Sequence, residues 1–158
     1  MNPLTVGRLT VSDRANQGVY EDKGGPELER VFSQEWNSPL TWLSLIVPDE
    51  KEKISGALQA WIKQRVALIL TTGGTGPTPR DVTPEATLAV LEKQLPGLSE
   101  AQRLTSFSMA PTSILSRAVA GVAGRSLIIN FPGNPKAISE CLPPLLPAIR
   151  ECLQHLRE

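Results

Sequence analysis

Residues 71–84 read Thr-Thr-Gly-Gly-Thr-Gly-Pro-Thr-Pro-Arg-Asp-Val-Thr-Pro, a stretch suited to holding phosphate. Gly73, Gly74 and Gly76, with Thr75 among them, let the backbone approach a ligand and turn successive N–H groups toward one point. A plain tight turn after a strand has the same composition. The stretch is not a P-loop, since no Gly-Lys-Ser/Thr follows, and its spacing is not GxGxxG. Asp81 adds a carboxylate beside the nest, a repulsive arrangement unless a cation lies between them. Mg²⁺ meets that need, because it binds one or two carboxylates together with substrate phosphates and water. Asp49, in Pro48-Asp49-Glu50, ends another expected strand. Spacing alone favours it as the N-cap of the following helix. The sharper alternative joins it to Asp81 as a metal or substrate ligand.

Other polar groups fall at the ends of neighbouring segments. Ser12-Asp13-Arg14 closes the first expected strand and opens onto the same edge. Asp22-Lys23-Gly24-Gly25 brings a cation and two glycines to a helix start, which favours an anion. For Arg14 and Lys23 the bland reading is a solvated surface charge. Asn130 to Lys136 ends the last strand, and Asn134 is suited to cap the helix that Pro135 begins. With one histidine, His155, and two cysteines, Cys141 and Cys152, neither a zinc site nor a Ser/His or Cys/His nucleophile pair can be assembled. What remains is phosphoryl-type chemistry by positioning and charge neutralisation.

Composition sets the frame for these groups. The chain has 158 residues, enough for a single domain over residues 1–158. Sixteen Lys plus Arg balance sixteen Asp plus Glu without long blocks of either sign, so neither nucleic acid nor an anionic membrane is indicated as partner. No apolar run approaches the ~20 residues of a membrane span. The first residues lack the basic start and cleavage site of a signal peptide. The two cysteines fall in one expected helical stretch, about 16 Å apart, too far for a disulfide. Together these features indicate a reduced, cytoplasmic protein.

The elements that must position the site alternate. Leu4–Val11, Leu40–Val47 and the apolar run Val66–Leu70 read as strands, the last buried on both faces. Gly25-Pro26 opens a helix with Leu28, Val31, Phe32 and Trp36 on its apolar face. Asp49 with Glu52 forms a capping box for a second helix that buries Ile54, Leu58, Trp61 and Ile62. A helix capped by Thr83 runs to Leu91, another from Leu98 to about Phe107. Arg117–Val122 and Ser126–Phe131 form a hairpin about Ala123-Gly124-Arg125. The C-terminus is helical from Pro135, broken at Pro143-Pro144. The expectation is a three-layer α/β/α, Rossmann-like domain whose mostly parallel sheet carries one antiparallel strand.

Val11 to Arg14, Gly18 to Gly24, Pro48 to Glu50, Thr71 to Thr87, Leu115 to Arg117 and Asn130 to Pro135 together resemble the molybdopterin adenylyltransferases. These comprise the bacterial MogA proteins and the G domains of plant and animal homologues such as gephyrin. The resemblance covers about Leu4 to Leu146. The glycine loop joined to Pro-Arg-Asp-Val-Thr-Pro is specific to the wider MoaB/MogA superfamily, and Asp22-Lys23-Gly24 and the C-terminal loop favour the adenylyltransferase branch. It implies a MogA-like fold, a homotrimer, and transfer of AMP from Mg²⁺-ATP to molybdopterin in molybdenum-cofactor synthesis. The molybdate-inserting enzyme of the same pathway is an implied partner. Asp49 and Asp81 match the two acidic residues the family requires, as catalytic and metal-binding groups. Gly73, Gly74, Thr75 and Gly76 match its nucleotide loop. Ser12, Asp13, Lys23, Ser116, Arg117, Pro132, Gly133 and Asn134 match positions around its ligand cleft, shared between nucleotide and pterin. Arg8 departs from the pattern, standing in the first strand where relatives usually carry an aliphatic residue. Two rivals share the fold: a MoaB-type protein that binds molybdopterin without catalysis, and a nucleotide pyrophosphatase of the CinA type.

Overall fold

The computed structural model describes residues 2–158. Its strands are β1 (Leu4–Val11), β2 (Leu40–Val47), β3 (Leu68–Thr72), β4 (Lys93–Gln94), β5 (Ala120–Ala123) and β6 (Ser126–Phe131). The helices are α1 (Asp13–Asn16), α2 (Gly24–Glu35), α3 (Lys51–Lys63), α4 (Thr83–Leu88), α5 (Pro96–Phe107), α6 (Pro135–Cys141) and α7 (Leu146–His155). The strands form one sheet in the order β2-β1-β3-β6-β5-β4. Strands β2, β1, β3 and β6 are mutually parallel, and β5 runs against both of its neighbours. The expected mostly parallel sheet with one reversed strand is what forms.

Alternation along the central strands builds two cores. Val6, Leu68, Leu70 and Ile129 face one side, where they pack with Leu28 and Phe32 of α2, Ile138 of α6 and Ile149 of α7. Leu9, Ile69 and Ile128 face the other, against Ile54, Leu58 and Trp61 of α3 and Ala86 of α4. Central parallel strands are therefore apolar throughout, since both faces are covered. Gly7 lies on the α3 side, where a Cβ would come within 2.6 Å of the Trp61 ring. Arg8 lies on the α2 side. Its guanidinium is only 18% exposed, with Nε 2.9 Å from Glu29 and Nη1 3.8 Å from Asp22. The charge interrupting β1 is thus matched by carboxylates on α2 and the segment before it.

Several expectations shift at their ends. β3 starts at Leu68 rather than Val66, because Val66 N–H closes the end of α3 on the Trp61 carbonyl at 3.0 Å. It runs on through Thr71 and Thr72, whose buried hydroxyls conceal the strand from a hydropathy reading. α4 ends at Leu88 rather than Leu91, as Glu92 N–H leaves to join Val122 in the sheet. β5 begins at Ala120 rather than Arg117, whose N–H is bonded to Thr75. The N-cap of α3 is Glu50, with no side-chain cap bond, so Asp49 is not its cap and no capping box forms. Nor does Thr83 cap α4: Val82 holds that position, and the Thr83 hydroxyl donates to the Gly73 carbonyl instead. Cys141 and Cys152 stand on separate helices, divided by a 3₁₀ turn at Pro143–Leu145, and both are free thiols. No described helix is long and apolar enough to cross a membrane.

Candidate functional site

Parallel strands β1, β2, β3 and β6 all end on one rim, and most chemistry-bearing segments follow one of them; Lys23 precedes α2, and Ser116 and Arg117 precede the antiparallel β5, which starts at that rim. Ser12 follows β1 and caps α1, its hydroxyl accepting from Ala15 N–H at 3.1 Å. The turn that ensues presents Asp13 to Asp49, which follows β2. Asp13 N–H donates to Asp49 Oδ2 at 3.0 Å, and Asp49 N–H donates to Asp13 Oδ1 at 2.9 Å. Arg80 then grips both Asp13 oxygens, at 2.9 and 3.0 Å.

Charge on these carboxylates follows from their partners. The Asp49 backbone N–H and the Arg80 guanidinium hold the Asp13 carboxyl below its usual range, against a smaller opposing effect of burial. Asp49 goes the other way. Burial pushes its carboxyl up, the nearby charges of Asp13 and Asp81 add to the rise, and the Asp13 N–H and Arg80 only partly offset it. Asp81 is thus near enough to Asp49 for the two to repel.

The glycine loop lies between the two. Gly73 and Gly74 adopt φ of 96° and 67°, the left-handed region. A Cβ on Gly73 would stand 2.3 Å from the Val11 carbonyl, and one on Gly74 2.2 Å from the Thr83 hydroxyl and 3.1 Å from Asp49 Oδ1. A Cβ on Gly76 would lie 2.8 Å from Asp81 Oδ2. Asp49 and Asp81 therefore flank one loop, each against a different glycine. Thr83 takes up the loop's carbonyls: its hydroxyl donates to Gly73 at 2.9 Å, and its N–H to Gly74 at 3.1 Å. Among the described residues, the N–H groups of Gly74, Thr75 and Gly76 donate to no protein acceptor. Three successive amides without a protein acceptor thus stand beside two carboxylates. Asp81 Oδ2 accepts from Thr78 N–H and hydroxyl, at 3.1 and 2.7 Å. Oδ1 of Asp49 and of Asp81 accept nothing among the described residues.

Two cavities border the loop. One, of about 200 Å³, is lined by Ser12, Lys23, Gly24, Thr72, Gly73 and Gly133 among others. The other, of about 440 Å³, is lined by Thr75, Gly76, Ser116, Pro132, Asn134 and Lys136, with Gln102 and Ser106 of α5. The partition between them is the backbone of the glycine loop and of residues 132–134. It is stitched by Thr72, whose hydroxyl donates to the Pro132 carbonyl at 2.8 Å.

The residues singled out from the sequence thus converge on one rim. Ser12, Lys23, Gly73 and Gly133 face the smaller cavity, and Thr75, Gly76, Ser116, Pro132 and Asn134 the larger. Asn134 also caps α6, accepting from Lys136 N–H at 3.0 Å. Asp13, Asp49, Gly74, Asp81 and Arg117 line neither. The Arg117 guanidinium donates to the carbonyls of Gly76 and Asp81 at 2.9 and 2.8 Å and pairs with Glu85, so it ties down the loop. That pairing holds the Glu85 carboxyl below its usual range. Arg80, gripping Asp13, and α5, walling the larger cavity, were not foreseen. Arg80 stands beside Asp81 in the motif, and only the fold tells which partner it meets.

An open α/β sheet with a glycine nest and paired aspartates beyond its strand ends defines a protein that binds anionic ligands at its carboxyl rim. Residues 7–151 match the family described as "Probable molybdopterin binding domain", and the chain belongs to that family. It is 46% identical to a molybdopterin adenylyltransferase of Helicobacter pylori (strain ATCC 700392 / 26695), over 97% of this chain and 88% of the relative. It is 45% identical to the protein of that name from Escherichia coli (strain K12), over 90% of this chain and 73% of the relative. Among solved structures, one titled as MogA superposes with a TM-score of 0.90 at 38% identity, covering 96% of this chain and 99% of that one.

Proposed function

We propose that this chain is a molybdopterin adenylyltransferase, transferring AMP from ATP to the terminal phosphate of molybdopterin. The observation that supports it best is the convergence of three unpartnered loop amides with Asp49 and Asp81 at one rim, on a loop whose neighbouring residues line two cavities. Two cavities across one backbone partition suit a reaction that joins two anionic substrates. The relatives named for this activity span nearly the whole chain and support this reading over a non-catalytic pterin binder or a CinA-like pyrophosphatase.

A phosphate oxygen of molybdopterin attacks the α-phosphorus of ATP. A new P–O bond forms, the bond to the bridging oxygen of the β-phosphate breaks, and pyrophosphate leaves with that electron pair. The nucleophile is already an anion, so no side chain needs to remove a proton. Work left to the protein is alignment and charge neutralisation. The amides of Gly74, Thr75 and Gly76 donate to phosphate oxygens, and Lys23 adds a positive charge at the neighbouring cavity. The Asp13–Arg80 pair fixes the backbone that carries Asp49.

Asp49 and Asp81 fit Mg²⁺. Each keeps one carboxylate oxygen without a protein partner, their mutual repulsion favours a cation between them, and the described residues offer no closed cage of three or more ligating side chains. Two carboxylates completed by phosphates and water is the ligand set this ion accepts. When bound, the ion supplies charge neutralisation on the phosphates. A homotrimer in the cytoplasm, handing its product to a molybdate-inserting enzyme, completes the proposal.

The test is incubation of the protein with molybdopterin, ATP and Mg²⁺, following adenylylated pterin and pyrophosphate. One of each per turnover is the expected result. Asp81→Ala and Asp49→Ala lose product formation by about 10²-fold or more, the scale of removing one electrostatic stabiliser, while still unfolding cooperatively as folded proteins do. Near-normal product from Asp81→Ala overturns the assignment of that residue. Pterin binding without ATP-dependent product leaves the non-catalytic rival standing, and dinucleotide hydrolysis without pterin supports the pyrophosphatase.

A further inference from the structure

At the opposite end of the sheet, where the parallel strands begin, arginines gather around a hollow. Arg65 lies between α3 and β3, Arg125 in the two-residue loop joining β5 to β6, and Arg157 beyond α7. Together with Ala67, Leu153 and Leu156 they line a cavity of about 200 Å³. A second hollow of about 190 Å³ shares Leu153 and Arg157 with it and is bounded by Trp36 and Arg150. Arg150 is already engaged, lying 4.2 Å over the Trp36 ring. Arg65, Arg125 and Arg157 form no ion pair among the described residues. Three guanidinium groups without an ion pair thus line one hollow; Glu92, whose Oε1 accepts from Gly124 N–H in the β5–β6 loop, and Glu158, beside Arg157 in the chain, form a salt bridge with none of them.

The backbone at Arg65 gives an independent reason to look here. α3 ends with Arg65 N–H on the Ile62 carbonyl and Val66 N–H on the Trp61 carbonyl, both at 3.0 Å. That is a Schellman closure, whose left-handed residue is normally glycine. Here it is Arg65, at φ 59°, the one non-glycine residue with positive φ among the described residues. A long cationic side chain is kept where a glycine fits the backbone better. Favourable placement near a helix C-terminus accounts for Arg65 or Arg157 taken singly. It does not account for their meeting Arg125, which stands in a hairpin loop.

We propose that this cavity binds a small multivalent anion of the phosphate class. Guanidinium groups present paired N–H donors that match phosphate oxygens, and three of them suit a ligand with several oxygens and more than one charge. All three arginines are exposed, above a buried Leu153 and half-buried Ala67 and Leu156, so binding is salt-sensitive and strongest at low ionic strength. Its lining offers no acceptor side chain and no aromatic ring to read a base, which suits an inorganic or similarly compact anion rather than a nucleotide. The site is independent of the chemistry at the other rim.

The test is calorimetric titration of the full chain with sodium pyrophosphate, without divalent metal and at low salt. Thermal unfolding and adenylyl transfer are followed in parallel. The paired substitution Arg125→Gln with Arg157→Gln is expected to weaken binding at this site at least 10-fold. Arg65→Gly is expected to raise the melting temperature of the ligand-free protein while reducing the rise that pyrophosphate produces. Both leave adenylyl transfer unchanged. Pyrophosphate held at the glycine loop is untouched by these substitutions, so the difference from the parent reports the arginine cavity. Binding by the paired variant indistinguishable from the parent, or no binding by the parent, overturns the proposal. Arg65→Gly that stabilises the fold and keeps the full pyrophosphate response shows Arg65 to be a helix terminator only, and removes it from the site.

Discussion

Asp13 and Asp49 hold one another through backbone N–H groups, and Arg80 closes the set from outside. Because the folded protein keeps the Asp13 carboxyl below its ordinary range, the bond it makes stabilises above that range and is lost as pH falls through the lowered value. Arg80→Met is therefore expected to show a lower melting temperature than the parent at neutral pH, a difference that closes on acidification. Parallel melting curves across the acid range check it. Removing Arg80 also removes a charge that lowers the Asp49 carboxyl, so the acid limb of a turnover–pH profile should move upward in the variant. Gly74→Ala would put a methyl against the Thr83 hydroxyl at a positive φ, and both faults displace the loop amides. Its expected signature is a raised KM for the nucleotide with a kcat loss, read by steady-state kinetics. At this scale the residues were legible and their pairing was not. Glycines, Asp49 and Asp81 advertise themselves by type. That Asp49 takes an N–H from Asp13 rather than capping α3 depends on how two non-adjacent chain segments meet.

Among the elements, the central strands read most clearly, because burial on both faces leaves Leu68 to Leu70 and Leu127 to Ile129 apolar without interruption. Errors collect where polar residues are buried. Thr71 and Thr72 extend β3 past its apolar run. Asn130, fully buried, donates to the Thr71 and Thr87 hydroxyls at 2.9 and 3.0 Å and accepts from Val119 N–H. β4, two residues long, offers no period to detect. Because α3 packs one whole side of β1 and β3, truncation at its centre should be felt globally. Leu58→Ala is expected to destabilise by about 2–5 kcal/mol, the range for emptying a buried leucine site, measured by denaturant unfolding. Asp49 immediately precedes the N-cap of that helix, so the same variant should also lower turnover below its melting temperature.

For the whole molecule, apolar side chains left on the surface include Leu45 and Ile46 of edge strand β2, and Leu104, Phe107, Met109, Ile114 and Leu115 around α5. Such patches support the proposed trimer. Sedimentation equilibrium should then return three times the 17.1 kDa of one chain. None of this was readable from composition, since scattered apolar residues cannot be assigned to inside or outside without the fold. Global stability should also decline in strong alkali. Burial pushes the Cys141 thiol up to about 12, so its proton is retained in the fold and shed earlier when the chain unfolds. Stability is thus full below the ordinary thiol range and is lost as pH climbs from there toward that value. Alkylation at pH 8 should accordingly spare Cys141 until the chain is denatured, as peptide mass mapping would reveal.

The thin partition between the two cavities has one more consequence. It is held together by the Thr72 hydroxyl on the Pro132 carbonyl and by Gly73 N–H on the Phe131 carbonyl, so on the proposed function an occupant of one side bears on the surface offered to the other. Reactants bound this way are thermodynamically linked: if the first tightens the second by some factor, the second tightens the first equally. Removing the side-chain bond, as in Thr72→Val, leaves Gly73 N–H on Phe131 and is expected to weaken the coupling, so that each reactant's affinity depends less on the presence of the other.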